Sequence, residues 1–176
     1  MIAFVWAEDQ NGLIGAQGQL PWRLPADLRR FKEVTWQQTI VMGRRTYASF
    51  PHGPLPQRHH LVLTHQAATQ FPDEVEVFGS AAALRQRLAQ EPQRTFYVIG
   101  GVALFTLFAA EVDFLYQTRI DGHYAGDTYM PALPWADFEL TQQQDFLAQG
   151  SQPAYHFLEF QRIRATAGPS SESVGE

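Results

Sequence analysis

The chain has 176 residues, 45% of them hydrophobic and 18% charged, with a formal net charge of −5 and no cysteine. That length and composition suit one domain with one sizeable core and exclude a mostly disordered chain. They also exclude disulfide and thiolate chemistry, and the acidic balance argues against a general nucleic-acid binder.

In chain order, "IAFVWA" (2–7) is an apolar run that reads as a buried strand. It lacks a basic leader and ends at Glu8, so it reads as neither a signal peptide nor a membrane span, and a soluble cytoplasmic protein is expected. "DQNGLIGAQGQLPW" (9–22) is a long loop with an apolar Leu13-Ile14 tip, a length that often serves function. Pro25 suits the first turn of a helix in which Leu28, Phe31 and Val34 recur at helical spacing. "TIVMG" (39–43) is a strand running into a short helix over 44–50. "HLVLTH" (60–65) and "VEVF" (75–78) are further strands, and Ser80 caps a helix carrying Leu84 and Leu88 that stops before Pro92. "TFYVI" (95–99) is a strand, Gly100-Gly101 a turn, "VALFTLFAA" (102–110) a buried helix and "VDFLYQTRI" (112–120) a strand. Segments near 138–146 and 154–164 have no helix between them and read as antiparallel strands closing a sheet. A domain over 1–164 followed by a frayed tail, 165–176, is expected. The alternation implies an α/β fold: a single domain with a central, mostly parallel sheet of about eight strands, a C-terminal antiparallel strand and about four flanking helices.

Ligands of such sheets bind at the carboxyl ends of strands. Three strand ends carry suitable residues. In "MGRRT", Gly43 permits a tight turn, Arg44 and Arg45 offer guanidiniums, and Thr46 opens a helix, whose N-terminus favours phosphate. Thr64 and His65 supply a hydroxyl and an imidazole, and Gly100-Gly101 lets a ligand approach the backbone. Singly, these could be a solvated basic turn, a polar loop start and a packing turn. Together they suggest an extended phosphorylated ligand such as a dinucleotide, although G-x-G-x-x-G is missing. Residues 1–65 carry a net +3 and residues 66–176 a net −8, which suits an anionic small molecule facing the first part or, alternatively, a chance acidic surface. The histidines show no metal-ligand spacing, so no metal is expected.

Asp27 falls beside Leu28 and Phe31 in the first turn of a helix. It could simply complement the helix dipole. Walled by Trp22, Leu28 and Phe31, it would instead need a hydrogen-bonding partner, and a flat heterocycle with an amidine-like N–H pair would satisfy it. Arg58, after the stiff "GPLPQ", is either an exposed arginine or a clamp on a ligand carboxylate.

The stretches "NGLIGAQGQLPWRLPADLRRFK", "VMGRRTYASF", "PLPQRHHLVLTH", "FYVIGGVALF" and "TRIDGHYAGDTYMP", in this order and spacing, resemble the bacterial dihydrofolate reductases over roughly residues 1–164. The resemblance implies hydride transfer from NADPH to 7,8-dihydrofolate by a monomer that also binds antifolate inhibitors and needs neither nucleic acid nor membrane. It implies that Asp27, supported by the Thr118 hydroxyl, binds the pterin, and that Trp22 holds ordered water nearby. Val5 and Ala7 would border the pterin and nicotinamide. Leu28, Phe31, Phe50 and Leu55 would sandwich the substrate rings, and Arg58 would bind the α-carboxylate of the glutamate tail. Arg44, Thr64 and His65, with Leu63 beside them, would hold the 2′-phosphate. Gly43, Arg45, Thr46, Ile99 and the run Gly100, Gly101, Val102, Ala103, Leu104 and Phe105 would hold the pyrophosphate side, with a cis Gly100-Gly101 bond. Ile14, Gly15 and Leu20 belong to the mobile loop, Leu13 to Leu20, that would close over nicotinamide.

Two positions depart from the family pattern. His59-His60 follows Arg58 where asparagine is often second, which puts in question a hydrogen bond behind the Arg58 loop. Ala125 replaces a frequent acid before "GDT", while Asp127 keeps its expected bond to the loop near Gly15. A related pyrimidine reductase of flavin synthesis would need neither Asp27 nor Arg58; a pterin- or nucleotide-binding module without turnover is the other alternative.

Overall fold

The computed structural model describes residues 1–164; the tail expected over 165–176 lies outside them. The elements are β1 (Ile2–Glu8), β2 (Leu13–Gly15), α1 (Pro25–Thr35), β3 (Thr39–Gly43), α2 (Arg44–Ala48), β4 (His59–Leu63), β5 (Val75–Phe78), α3 (Ala81–Ala89), β6 (Phe96–Gly100), α4 (Val102–Phe108), β7 (Phe114–Ile120), β8 (Thr128–Tyr129), β9 (Phe138–Phe146) and β10 (Tyr155–Arg162), with single 3-10 turns at Ala68–Gln70 and Trp135–Asp137. Eight strands form one sheet in the order β5-β4-β3-β6-β1-β7-β10-β9. The pairs from β5 through β7 are parallel, and β10 and β9 add antiparallel. This is the α/β architecture expected from the alternation. Among the described residues no helix is long and apolar enough to cross a membrane.

β1 is apolar at every position up to Glu8 because the sheet is covered on both faces. Alternate side chains then serve different layers. Phe4 and Trp6 join the core that α3 and α4 close with Leu84, Leu88, Leu104, Phe105 and Phe108. Ala7 lies on the other face with Trp22, Leu24, Ile120, Tyr155 and Phe157. Phe4 and Phe105 meet edge to face at 5.0 Å, and full burial of each ring is worth roughly 1.5–3 kcal/mol. The Ser80 hydroxyl caps α3 by accepting the Ala83 N–H at 3.1 Å.

Two expectations need correction. Residues 9–22 are not one open loop: β2 pairs with β8 as a second, two-stranded sheet, and Leu13 is 1% exposed, an anchor rather than a tip. Three residues are too short a run for periodicity to reveal. The α1 stripe is also not seated in the core. Leu28 is 59% exposed, and Thr35 is the one fully buried residue of that helix. α1 meets the sheet instead through Leu24 and Ala26 at its start and through Arg30, whose guanidinium lies 4.7 Å from the centre of the Phe157 ring. Its apolar side is left to a cleft.

Candidate active site

The cleft is built where β1, β6 and β7 end. Ala7 of β1 is in register with Thr118 of β7, and Gly100 closes β6 on the other side of β1. Two inter-strand spacings, roughly 10 Å, therefore separate the Thr118 column from the diglycine column. One flat ligand and a second one stacked beside it fit that span.

Asp27 reaches this edge from the first turn of α1. Pro25 starts the helix and Asp27 N donates to Leu24 O at 3.0 Å, which closes its first turn. The Thr118 hydroxyl donates to Asp27 Oδ1 at 2.7 Å. Burial pushes the Asp27 carboxyl above its ordinary value, more strongly than the Thr118 hydrogen bond and the Arg30 charge pull it down. Arg30 is itself committed to Glu159 at 2.7 Å. Asp27 thus keeps acceptor capacity toward the cleft. Trp22 packs against Tyr124 at 5.5 Å, and its buried Nε1 makes no hydrogen bond within the protein. An indole N–H of that kind suits a bound water or ligand acceptor.

Val5 and Ala7 are nearly buried, at 9% and 8% exposure, so they can offer backbone and a small apolar surface only. Phe31, Phe50 and Leu55 are half-buried and Leu28 is open, an apolar lining in keeping with flat rings. Arg58 is held on three sides. Its Nε donates to Thr35 Oγ1 at 3.2 Å, Nη1 to Pro56 O at 2.8 Å and Nη2 to Lys32 O at 3.3 Å, while Trp36 lies 5.1 Å beneath the guanidinium. Burial lowers the Arg58 pKa from its ordinary value.

At the phosphate edge, Gly43 ends β3, Arg44, Arg45 and Thr46 open α2, and Thr64 and His65 lie just beyond β4, which stops at Leu63. The Gly100-Gly101 bond is cis. A Cβ placed on Gly100, at φ +132°, would lie 3.3 Å from Thr46 Oγ1, so the diglycine and that hydroxyl form a cradle that a side chain would fill. Val102 and Ala103 stand at the open end of α4, where helical N–H groups lack intrahelical acceptors. Ile99 is half-buried. Leu104 and Phe105 follow in the first turn of α4: their N–H groups donate to Gly101 O at 3.0 and 3.2 Å, and the two residues are 3% and 1% exposed. Their side chains join the core behind the cradle.

The covering segment is clasped to the segment before β8. Asp127 N donates to Gly15 O at 3.1 Å, and Asp127 Oδ2 accepts Gln17 N at 3.1 Å. Ile14 is half-buried against the core, while Leu20 is 50% exposed. Two residues that matter here, Asp9 and Thr35, escaped the sequence reading, and a third, His60, was noted there only as a departure. Asp9, 2% exposed, accepts the N–H groups of Asn11, Leu13 and Tyr124 at 2.8, 3.0 and 2.9 Å. Thr35 Oγ1 links Arg58 to Phe31 O. His60 Nε2 accepts Leu55 N–H at 3.0 Å, so the hydrogen bond questioned behind the Arg58 loop is present. "DQNG" is a recognisable side-chain turn signal for Asp9; nothing local announces Thr35.

A family model described as dihydrofolate reductase matches residues 1–162. A dihydrofolate reductase of Enterococcus faecium is 36% identical over 164 residues, 93% of this chain and 98% of that one. One from Bacillus subtilis strain 168 is 34% identical over 163 residues, 92% of this chain and 95% of that one. A solved structure of the Enterococcus faecalis dihydrofolate reductase, complexed with NADP(H) and RAB-propyl, superposes with a TM-score of 0.83 at 32% identity, covering 93% of this chain and 97% of that chain.

Proposed function

We infer the function from one premise: this chain belongs to the dihydrofolate reductase family. It catalyses the NADPH-dependent reduction of 7,8-dihydrofolate to 5,6,7,8-tetrahydrofolate. The observation that carries the reading to particular residues is the Asp27–Thr118 pair, 2.7 Å apart, two strands from the diglycine cradle.

NADPH suits the cradle, whose absent Cβ atoms and Thr46 hydroxyl leave room for a pyrophosphate; when bound, it supplies the hydride. Arg45, Thr46, Val102 and Ala103 would hold the pyrophosphate. Arg44, Thr64 and His65 would hold the 2′-phosphate and so favour NADPH over NADH. Asp27 would accept the N–H pair of the pterin with its two carboxylate oxygens, Thr118 occupying a further lone pair of Oδ1 and fixing the carboxylate's orientation. Leu28, Phe31, Phe50 and Leu55 would enclose the rings, and Arg58 would meet the α-carboxylate of the tail. The covering segment near Gly15 and Leu20 would exclude bulk water.

Reduction of the substrate's C6 requires a proton at N5. Asp27 would polarise the ring from its other side and the proton would come from solvent, with Trp22 Nε1 available to order a water. The test is loss of reduced-nicotinamide absorbance on adding dihydrofolate, and its block by a diaminopyrimidine antifolate. Turnover of dihydrofolate is expected. Turnover of a ribosylaminopyrimidine instead, or ligand binding without turnover, would sink the reading.

A further inference from the structure

The imidazole of His60, in β4, is 0% exposed. Tyr47 and Phe50 stand edge-on to it at 6.3 and 6.2 Å. Its Nε2 accepts the Leu55 N–H at 3.0 Å, and its Nδ1 makes no hydrogen bond of good geometry. A ring nitrogen that accepts is unprotonated, so the imidazole is neutral with its proton on Nδ1. Leu55 and Arg58 bracket one tight turn. His60 fixes the Leu55 end, and Thr35 and the end of α1 fix the Arg58 end.

We propose that His60 is a positioning residue for the aryl-glutamate end of the substrate: by accepting the Leu55 N–H it sets Leu55 against the aromatic ring and anchors the near end of the turn that leads to Arg58. The proposal rests on the function inferred above. It also gives that end of the site a pH dependence, because an imidazolium has two donors and no acceptor for Leu55. The charged and titratable groups facing the ring are Arg58 and His59 from its own segment, Glu74 from the segment before β5, and Tyr47 from α2. Burial is the strongest influence and holds the ring neutral; the backbone at Arg58 and Glu74 favour charge, while the His59 and Arg58 charges oppose it. The net effect places its pKa below the ordinary histidine value. Substrate affinity should therefore be full near neutrality and fall in acid.

Steady-state kinetics on the full chain test this. The wild type is assayed first with NADPH and dihydrofolate; no turnover there overturns the functional reading itself. Given turnover, His60→Leu, which fills the space without an acceptor, should raise KM for dihydrofolate about five- to tenfold with kcat and KM for NADPH within about twofold. His60→Asn, which restores an acceptor, should bring KM back to within about threefold of wild type. Should His60→Leu fold poorly, the wild type and His60→Asn suffice: KM for dihydrofolate should rise on acidification more steeply in the wild type than in His60→Asn. An unchanged KM in His60→Leu, an equal rise for both substrates, no rescue by asparagine, or superimposable acid profiles would each overturn the proposal.

Discussion

Asp27 and Asp9 are both withdrawn from water, yet their titrations move in opposite directions. Burial dominates at Asp27, whose carboxyl is raised; at Asp9 burial is outweighed by three backbone N–H donors, and the carboxyl is lowered. Between the ordinary value of 3.8 and its folded value, Asp27 binds more protons folded than unfolded, so stability declines as pH rises and the cost is complete above the folded value. Asp27→Asn should accordingly raise the urea midpoint of the ligand-free protein at neutral pH. The same variant should lose on the order of 10²-fold or more in hydride transfer at neutral pH and regain part of it in acid, where dihydrofolate arrives protonated. A single-turnover pH series reads both limbs. For Asp9 the contribution is present above 3.8 and disappears as pH drops below it. Asp9→Ala should cost roughly 2–3 kcal/mol in urea unfolding, because three N–H groups lose their acceptor. The sequence showed Asp27 as an anomaly on an apolar stripe, but its partner Thr118, 91 residues away, came only through the family resemblance, since no spacing rule covers that separation.

β3, β4 and β6 announce themselves through apolar runs, and their ends could be read as a phosphate edge before the sheet order was known. Arg44→Ala should raise KM for NADPH about ten- to a hundredfold and leave that for NADH nearly unchanged, since one charge-assisted contact to the 2′-phosphate is lost. The β2–β8 pair is less legible, because strands of three and two residues carry no period. A Cβ on Gly126 would meet Gly15 O at 2.6 Å and Leu13 Cδ1 at 2.7 Å. Gly126→Ala should therefore push the two strands apart and slow hydride transfer about tenfold in single-turnover measurements, with a smaller effect on the urea midpoint than Asp9→Ala. Helix α1 shows a different limit of pattern reading. Its spacing correctly indicated a helix, but an amphipathic stripe looks alike whether it packs on a sheet or lines a ligand cleft.

Across the molecule, a net +3 in residues 1–65 sits with a net −8 in the remainder. Both expected ligands are anionic, and Arg44, Arg45 and Arg58 all come from the first part. Their association rates should fall as ionic strength rises, more steeply in the wild type than in Arg44→Ala, by stopped-flow fluorescence. The composition indicated that asymmetry; the folded order sets β3, which runs into Arg44 and Arg45, beside β4, which follows Arg58. Asp9 has a consequence at the same scale. It ties Asn11 and Leu13 on one strip of chain to Tyr124 on another. The base of the 13–20 segment is thereby tied to the body, and the stretch beyond Gly15 is fastened only by the Ala16–Gln19 ladder and the Asp127 clasp, so motion of the segment should be confined to that stretch. In deuterated buffer, the amides of Leu13 and Tyr124 should retain their protons long after those of Gln17 and Gln19 have exchanged, as expected of a segment that swings from a fixed post rather than peeling away from its base.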